Sequence, residues 1–217
     1  GSWWAILSDG VEGARFYRLG AESGWEPCGF ADALVSEDVR ARADVYAAGE
    51  TVAALVWRES SVTVRRYQYD AGVAEYHAVR GWRPAVNLPT GHETATIAWH
   101  VPNYMVTAVV DGSVLVAEPG RPGAPRAVGS GVSDDDISAI VMYPGQPAAP
   151  SPDRLRLGVF WSDQSAQALY FRWRGARPIG SDWTPVETVA RGGHVADDHI
   201  NIAAAADGTL YVVTKTS

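Results

Sequence analysis

The chain alternates apolar and polar residues in short runs, and turn-forming residues separate those runs. Trp4-Ala5-Ile6-Leu7 leads through Ser8-Asp9-Gly10 to Arg15-Phe16-Tyr17-Arg18-Leu19. The same succession returns as Ala54-Leu55-Val56-Trp57, Arg58-Glu59-Ser60-Ser61 and Val64-Arg65-Arg66-Tyr67-Gln68-Tyr69. It returns shortened as Val106 to Val110, Asp111-Gly112 and Val114-Leu115-Val116. It returns in full as Leu157-Gly158-Val159-Phe160-Trp161, Ser162-Asp163-Gln164 and Leu169-Tyr170-Phe171-Arg172-Trp173. Side chains of an extended chain point to opposite faces in turn, so a period of two predicts strands and the polar breaks predict hairpins. No stretch sustains the spacing of an amphipathic helix.

A further strand is predicted before each later hairpin, over 43–47, 94–99, 137–143 and 200–206. Each ends in a tight break: Ala48-Gly49, Pro102-Asn103, Pro144-Gly145 and Asp207-Gly208. After the hairpins a tripeptide recurs as Trp25-Glu26-Pro27, Trp82-Arg83-Pro84 and Trp183-Thr184-Pro185. Its tryptophans stand 57 and 101 residues apart, close to one and two periods of about 50. Pro125 marks the decayed copy between them.

Each unit therefore reads strand A, turn, strand B, turn, strand C, loop, and a strand D carrying Trp-x-Pro. Four antiparallel strands in about 40–50 residues is the format of a β-propeller blade. The expected fold is all-β, a propeller of about five four-stranded blades, in units near 1–35, 36–90, 91–130, 131–192 and 193–217. Pro147 to Pro152 reads as an extended surface insertion between strands A and B of the fourth unit.

The ends do not match. The first unit lacks strand A, and the last stops after strand B. Either the C-terminal pair docks beside the N-terminal strands and closes the ring, or the chain belongs to a larger propeller. The first unit's own strand B favours the second. Unclosed edges invite a homo-oligomer or missing flanking strands.

Composition narrows the partners. Nine Trp and nine Tyr against four Phe suit sheets and surfaces for flat or amphipathic ligands. A net charge of −7 without a dense Lys/Arg cluster argues against nucleic acid. Cys28 stands alone, so an internal disulfide and a cysteine metal site are both ruled out. No apolar run is long enough for a spanning helix, so membrane insertion is not expected. Gly1-Ser2 reads as an expression scar rather than native sequence.

Candidate chemistry gathers before the A strands: Arg42-Ala43-Asp44, His92-Glu93-Thr94, Asp134-Asp135-Asp136 and Asp197-Asp198-His199. In a propeller these positions ring the axis. Asp44, Glu93, Asp135, Asp136, Asp198 and His199 are the expected ligand contacts, with Trp99 beside them because it breaks the repeat pattern. Asp135, Asp136, Asp197 and Asp198 are the candidate metal ligands. The sequence demands no cofactor, and Ca2+ is the cation that such hard oxygens would take. Paired carboxylates also serve acid–base catalysis. The plainer alternative is that these acids cap turns. The repeated Trp-x-Pro tryptophans read as packing, or else as sugar platforms between blades. There is no nucleophile elbow, phosphate loop, H-E-x-x-H or EF-hand spacing.

Asp197-Asp198-His199-Ile200-Asn201-Ile202, followed by Asp207-Gly208-Thr209-Leu210-Tyr211-Val212-Val213-Thr214-Lys215-Thr216-Ser217, resembles a segment of bacterial sialidase-like (BNR-type) propeller proteins of uncharacterised function. Trp3 to Leu7, Ala41 to Asp44 and Asp135 to Ser138 are similar to earlier segments of that group. In such proteins the chain runs on beyond the Lys-Thr-Ser strand, which implies a piece of a larger propeller. A true sialidase would imply an arginine triad, a Tyr–Glu pair and complete Asp boxes. Here Ser8-x-Gly10 and Asp207-Gly208-Thr209 are partial echoes. Arg42 stands on strand A, but Glu93, Asp136 and Asp198 fill the counterpart positions.

The resemblance thus supports the fold and weakens the claim to sialidase activity. The expected function is a non-catalytic recognition domain of a secreted bacterial protein, binding glycan or another extracellular ligand at the axial face. A glycoside hydrolase using the same carboxylates, and a structural or oligomerisation scaffold, are the alternatives.

Overall fold

The structure, a computed structural model, describes residues 3–8, 10–58, 61–80, 86, 88–89, 94–100, 103–120, 123–133, 135–145, 155–175, 182–197 and 199–216. Side chains of Ser61, Trp99, His100 and Asn103 fall outside that description. So do the expected insertion at 147–152 and the tripeptide Trp82-Arg83-Pro84. All the regular elements are strands, and none of the described residues is helical. Among them, therefore, no helix is long and apolar enough to cross a membrane. Two compact units cover residues 1–86 and 87–217.

The first unit holds two sheets. In the first, β1 (Trp4–Ser8) pairs with β2 (Ala14–Gly20), whose other edge is shared by β3 (Gly24–Pro27) and β4 (Leu34–Ser36). The second runs β5 (Arg42–Ala48), β6 (Thr51–Arg58), β7 (Ser61–Asp70) and β8 (Glu75–Ala78), antiparallel throughout. Val86 N–H extends the outer edge by donating to Val62 O at 2.8 Å. The two sheets bury an aromatic core. Phe16 stacks on Tyr76 at 5.2 Å and meets Tyr67 edge-on at 4.9 Å, while Trp4 stands edge-on to Tyr76.

The second unit holds three sheets. One runs β9 (Ala95–His100), β10 (Asn103–Val110), β11 (Ser113–Ala117) and β12 (Arg126–Ser130). The next runs β13 (Ser138–Pro144), β14 (Leu155–Asp163), β15 (Ala168–Gly175) and β16 (Glu187–Arg191). The last is the hairpin β17 (Ile200–Ala204) and β18 (Leu210–Thr214). β13 lies beside both β9 and β17, so the first strands of these sheets are neighbours. Ile140 N–H donates to Thr96 Oγ1 at 3.1 Å, and the Thr107 and Ser138 hydroxyls bond at 3.1 Å, tying the first two sheets together.

Sheets covered on both faces read as continuous apolar runs. β14 is buried from Leu157 to Asp163, and β6 from Val52 to Trp57. Outer strands β3 and β16 are mostly exposed, the apolar Trp25 and Val189 included.

Three outer strands carry a β-bulge, and in each the extra residue is a valine. Ladder pairing skips Val35 between Leu34 and Ser36, Val128 between Ala127 and Gly129, and Val189 between Thr188 and Ala190. A bulge leaves one residue out of the ladder and redirects its main chain.

The expected hairpins are all present. The four-stranded antiparallel unit is complete in three sheets, and in the first sheet β3 and β4 share the outer place. Arg42 and Asp44 lie inside β5, paired with Trp57 and Leu55, rather than in the loop before it.

Candidate functional site

Of the acids expected around an axis, Glu93 and Asp198 lie outside the described residues, as do His92 and Asp134. Trp99 lies in β9, with its side chain likewise outside the description. Asp44 is half-buried within β5 in the first unit.

Asp135, Asp136, Asp197 and His199 precede the neighbouring strands β13 and β17. Asp136 is 2% exposed and spans two loops. Its Oδ2 accepts from Ser133 N–H at 2.7 Å, and its Oδ1 accepts from Gln164 N–H at 2.8 Å and the Ser162 hydroxyl at 3.1 Å. Burial raises its carboxyl above the ordinary range. The three hydrogen bonds oppose that shift, and the Asp163 charge adds to it. Asp135 is exposed; its side chain accepts from Ser133 Oγ, and its carbonyl accepts from Gln164 Nε2 at 3.0 Å. Asp197 pairs with Lys215 Nζ at 3.3 Å, and the His199 carbonyl accepts from Lys215 N–H at 3.1 Å.

Asp135 and Asp136 thus hold the loop before β13, in line with the turn-capping alternative. Among the described residues no three His, Cys, Asp or Glu side chains converge where a metal ion would sit. Asp135, Asp136 and Asp197 therefore form no such group.

A different place gathers ligand-type chemistry. A cleft of about 330 Å³ opens between β12 and the face of β14–β15, lined chiefly by Gly129, Ser130, Trp161, Asp163, Tyr170 and Arg172. Strand alternation puts Trp161 and Asp163 on one face of β14. The register sets Trp161 opposite Tyr170, with ring centroids 5.7 Å apart. Gly129 makes the approach of β12 feasible, because a β-carbon there would lie 3.0 Å from the Trp161 indole.

Arg172 fixes the wall of this cleft. Its Nη1 donates to Val128 O at 2.7 Å, Nε to Thr184 O at 2.9 Å, and Nη2 to Trp183 O at 3.4 Å. The bulge at Val128 leaves that residue out of the β11–β12 ladder, and its carbonyl serves Arg172. Burial, helped by the neighbouring Arg126, lowers the Arg172 pKa from its usual value, and a guanidinium still stays charged. Trp183 is buried with its ring near Arg172 and Arg174, whereas Trp25 is exposed. The described Trp-x-Pro tryptophans thus do not share one role.

Asp163 is the polar centre of the cleft. It is 7% exposed, and its Oδ1 is held by Ser165 Oγ and Ala166 N–H, both at 2.8 Å. Oδ2 has no partner among the described residues. Tyr170 Oη accepts from Arg191 Nη2 at 3.0 Å, which leaves its proton available to a ligand. In the sequence Ser162-Asp163-Gln164 reads only as a turn, whereas in the structure Asp163 ends β14 and lines the cleft. The available signal was Asp163, two residues beyond Trp161 and so on the same strand face. No protein-family model matches the chain, and no curated protein matches it.

Proposed function

We propose that this chain is a non-catalytic recognition domain of propeller type that binds a saccharide in the cleft between β12 and β14–β15. The carrying observation is the Asp163 carboxylate, with one oxygen fixed by its own turn and the other without a partner among the described residues, in a cleft that two aromatic rings line. A carboxylate oxygen in that setting accepts from sugar hydroxyls, and a charge-assisted hydrogen bond is stronger than a neutral one. Tyr170, backed by the buried Trp161 indole, offers apolar surface to the C–H side of a pyranose. The cleft lies at the lower end of ordinary ligand-pocket volumes, about 300–1,000 Å³, which suits one or two sugar rings.

Glycoside hydrolysis needs two carboxyl groups flanking the scissile bond. Asp163 is the one carboxylate lining this cleft among the described residues, which favours binding over turnover. The repeated sheets, with neighbouring first strands in the second unit, support blades set side by side about an axis.

The test is a glycan array followed by titration of the best ligand. Asp163→Asn keeps an acceptor for Ser165 and Ala166 but replaces the other oxygen with donors. It is expected to weaken binding at least tenfold in a folded protein, about 1.4 kcal/mol or more. Unchanged affinity in that variant, or glycoside turnover lost with it, would overturn the reading.

A further inference from the structure

Three acidic side chains are buried among the described residues, and they differ in how their oxygens are used. Asp136 engages both oxygens, with donors from Ser133, Ser162 and Gln164. Asp197 has the Lys215 ammonium at 3.3 Å. Asp163, 7% exposed, has two hydrogen bonds on Oδ1 and none on Oδ2, and among the described residues no Lys, Arg or His pairs with it. A carboxylate is seldom this buried unless a cation or a full set of donors answers it.

Acid dominates the end of the cleft where Asp163 stands. Asp136 bonds Ser162 and Gln164, the chain neighbours of Asp163 on either side, so a second carboxyl backs the first. The Asp163 charge helps to raise the Asp136 carboxyl, so the two groups act on each other. The cations of the cleft are engaged elsewhere. The register sets Asp163 opposite Ala168 and Arg172 opposite Val159, four residues along the strands or about 13 Å at the backbone. The Arg172 guanidinium turns to the carbonyls of Val128, Trp183 and Thr184, and Arg191 Nη2 is held on Tyr170 Oη.

We infer that the cleft takes an amino sugar with a free ammonium group, and that Asp163 selects it over the neutral sugar. This inference rests on the saccharide reading of the cleft. An ammonium brings to Oδ2 both a donor and a positive charge, whereas a hydroxyl brings the donor alone. Once a ligand displaces the water over Asp163, a hydroxyl leaves the carboxylate charge uncompensated, and a charge covered without a counter-charge is costly. Between charged partners the hydrogen bond is also shorter and stronger. Tyr170 lies next along the same face, where the ring bearing the ammonium rests. N-acetylation of the sugar would remove the charge and with it the match. The net charge of −7 favours the approach of a cation.

Calorimetric titration of the full 217-residue chain near pH 6, where a sugar amine is protonated, tests it. The probes are three triads: glucose, glucosamine and N-acetylglucosamine, with the matching galactose and mannose compounds. In at least one triad the amine is expected to bind at least roughly tenfold tighter than its neutral and N-acetylated counterparts. Asp163→Asn, shown folded by circular dichroism, is expected to bring the three members within about threefold of one another. In the parent protein the advantage of the amine is expected to shrink as NaCl rises from about 20 mM to about 500 mM, a readout that needs no variant. A neutral or N-acetylated sugar that binds as tightly as its amine overturns the inference and leaves the saccharide reading standing. So does a preference for the amine that persists in Asp163→Asn or ignores salt. Silence from all three triads overturns it too, and the glycan array then decides separately whether the saccharide reading falls with it.

Discussion

Gly129 lies against the indole of Trp161, where an added β-carbon would stand 3.0 Å from Cε2 and Cζ2 and 3.1 Å from Val114 Cγ2. Its backbone is outside the left-handed region, so the requirement for glycine is purely one of space. Gly129→Ala is expected to lose about 1–3 kcal/mol of stability, the usual result of forcing a methyl into packed surroundings. The measurement is urea unfolding, read together with a shift in tryptophan emission as Trp161 moves.

Arg172 offers a second test of the same wall. Its guanidinium reaches three carbonyls on two segments, Val128 on one side and Trp183 and Thr184 on the other. A lysine ammonium cannot reproduce that planar fork. Arg172→Lys is expected to cost about 2–4 kcal/mol, since it leaves part-buried carbonyls without donors. Chemical denaturation checks the loss. A variant within about 0.5 kcal/mol of the parent would mean that the fork is dispensable.

Asp136 sets a pH dependence with a defined sign. Its carboxyl is raised in the folded protein, chiefly by burial, above its value in the unfolded chain. The folded state therefore holds the proton more tightly, and this contribution is fully present below the unfolded value, about pH 4. It is lost as pH rises through the folded value. The stability advantage of the parent over Asp136→Asn is expected to be largest near pH 4 and to shrink toward neutrality. Paired urea titrations across that range would show it, and an advantage that grows with pH would contradict the assignment.

In the first unit the weight falls on Phe16, which is 1% exposed and packed between Tyr67 and Tyr76. Phe16→Ala is expected to cost about 3–5 kcal/mol through the cavity it leaves. Thermal unfolding followed by near-UV circular dichroism reports directly on these tyrosines.

The strands were legible because period-two alternation and turn residues are local signals. Leu157 to Trp161 and Leu169 to Trp173 mark a hairpin with no knowledge of what packs on it, and they lie within β14 and β15. The axial acids were legible as a pattern, but not in their use. Whether Asp136 meets a ligand or closes a loop depends on Ser162 and Gln164, about one hairpin away in the chain. The cleft was not legible at all. It forms where β12 meets β14–β15, and the pairing of Gly129 with Trp161 is set by sheet packing rather than by any spacing along the chain. The bulges at Val35, Val128 and Val189 were not legible either, because an extra residue shows only against the partner strand it fails to pair with.

The bulges at Val35, Val128 and Val189 act on the chain as an inserted letter acts on a reading frame. Beyond each one, the residues of the outer strand switch faces relative to strict alternation. A copy of the unit can gain or lose a residue there while its inner strands keep their register. Such units can stay in step in space while differing by a residue in sequence. Kinship among chains of this kind would have to be traced with a one-residue slip allowed at each outer valine.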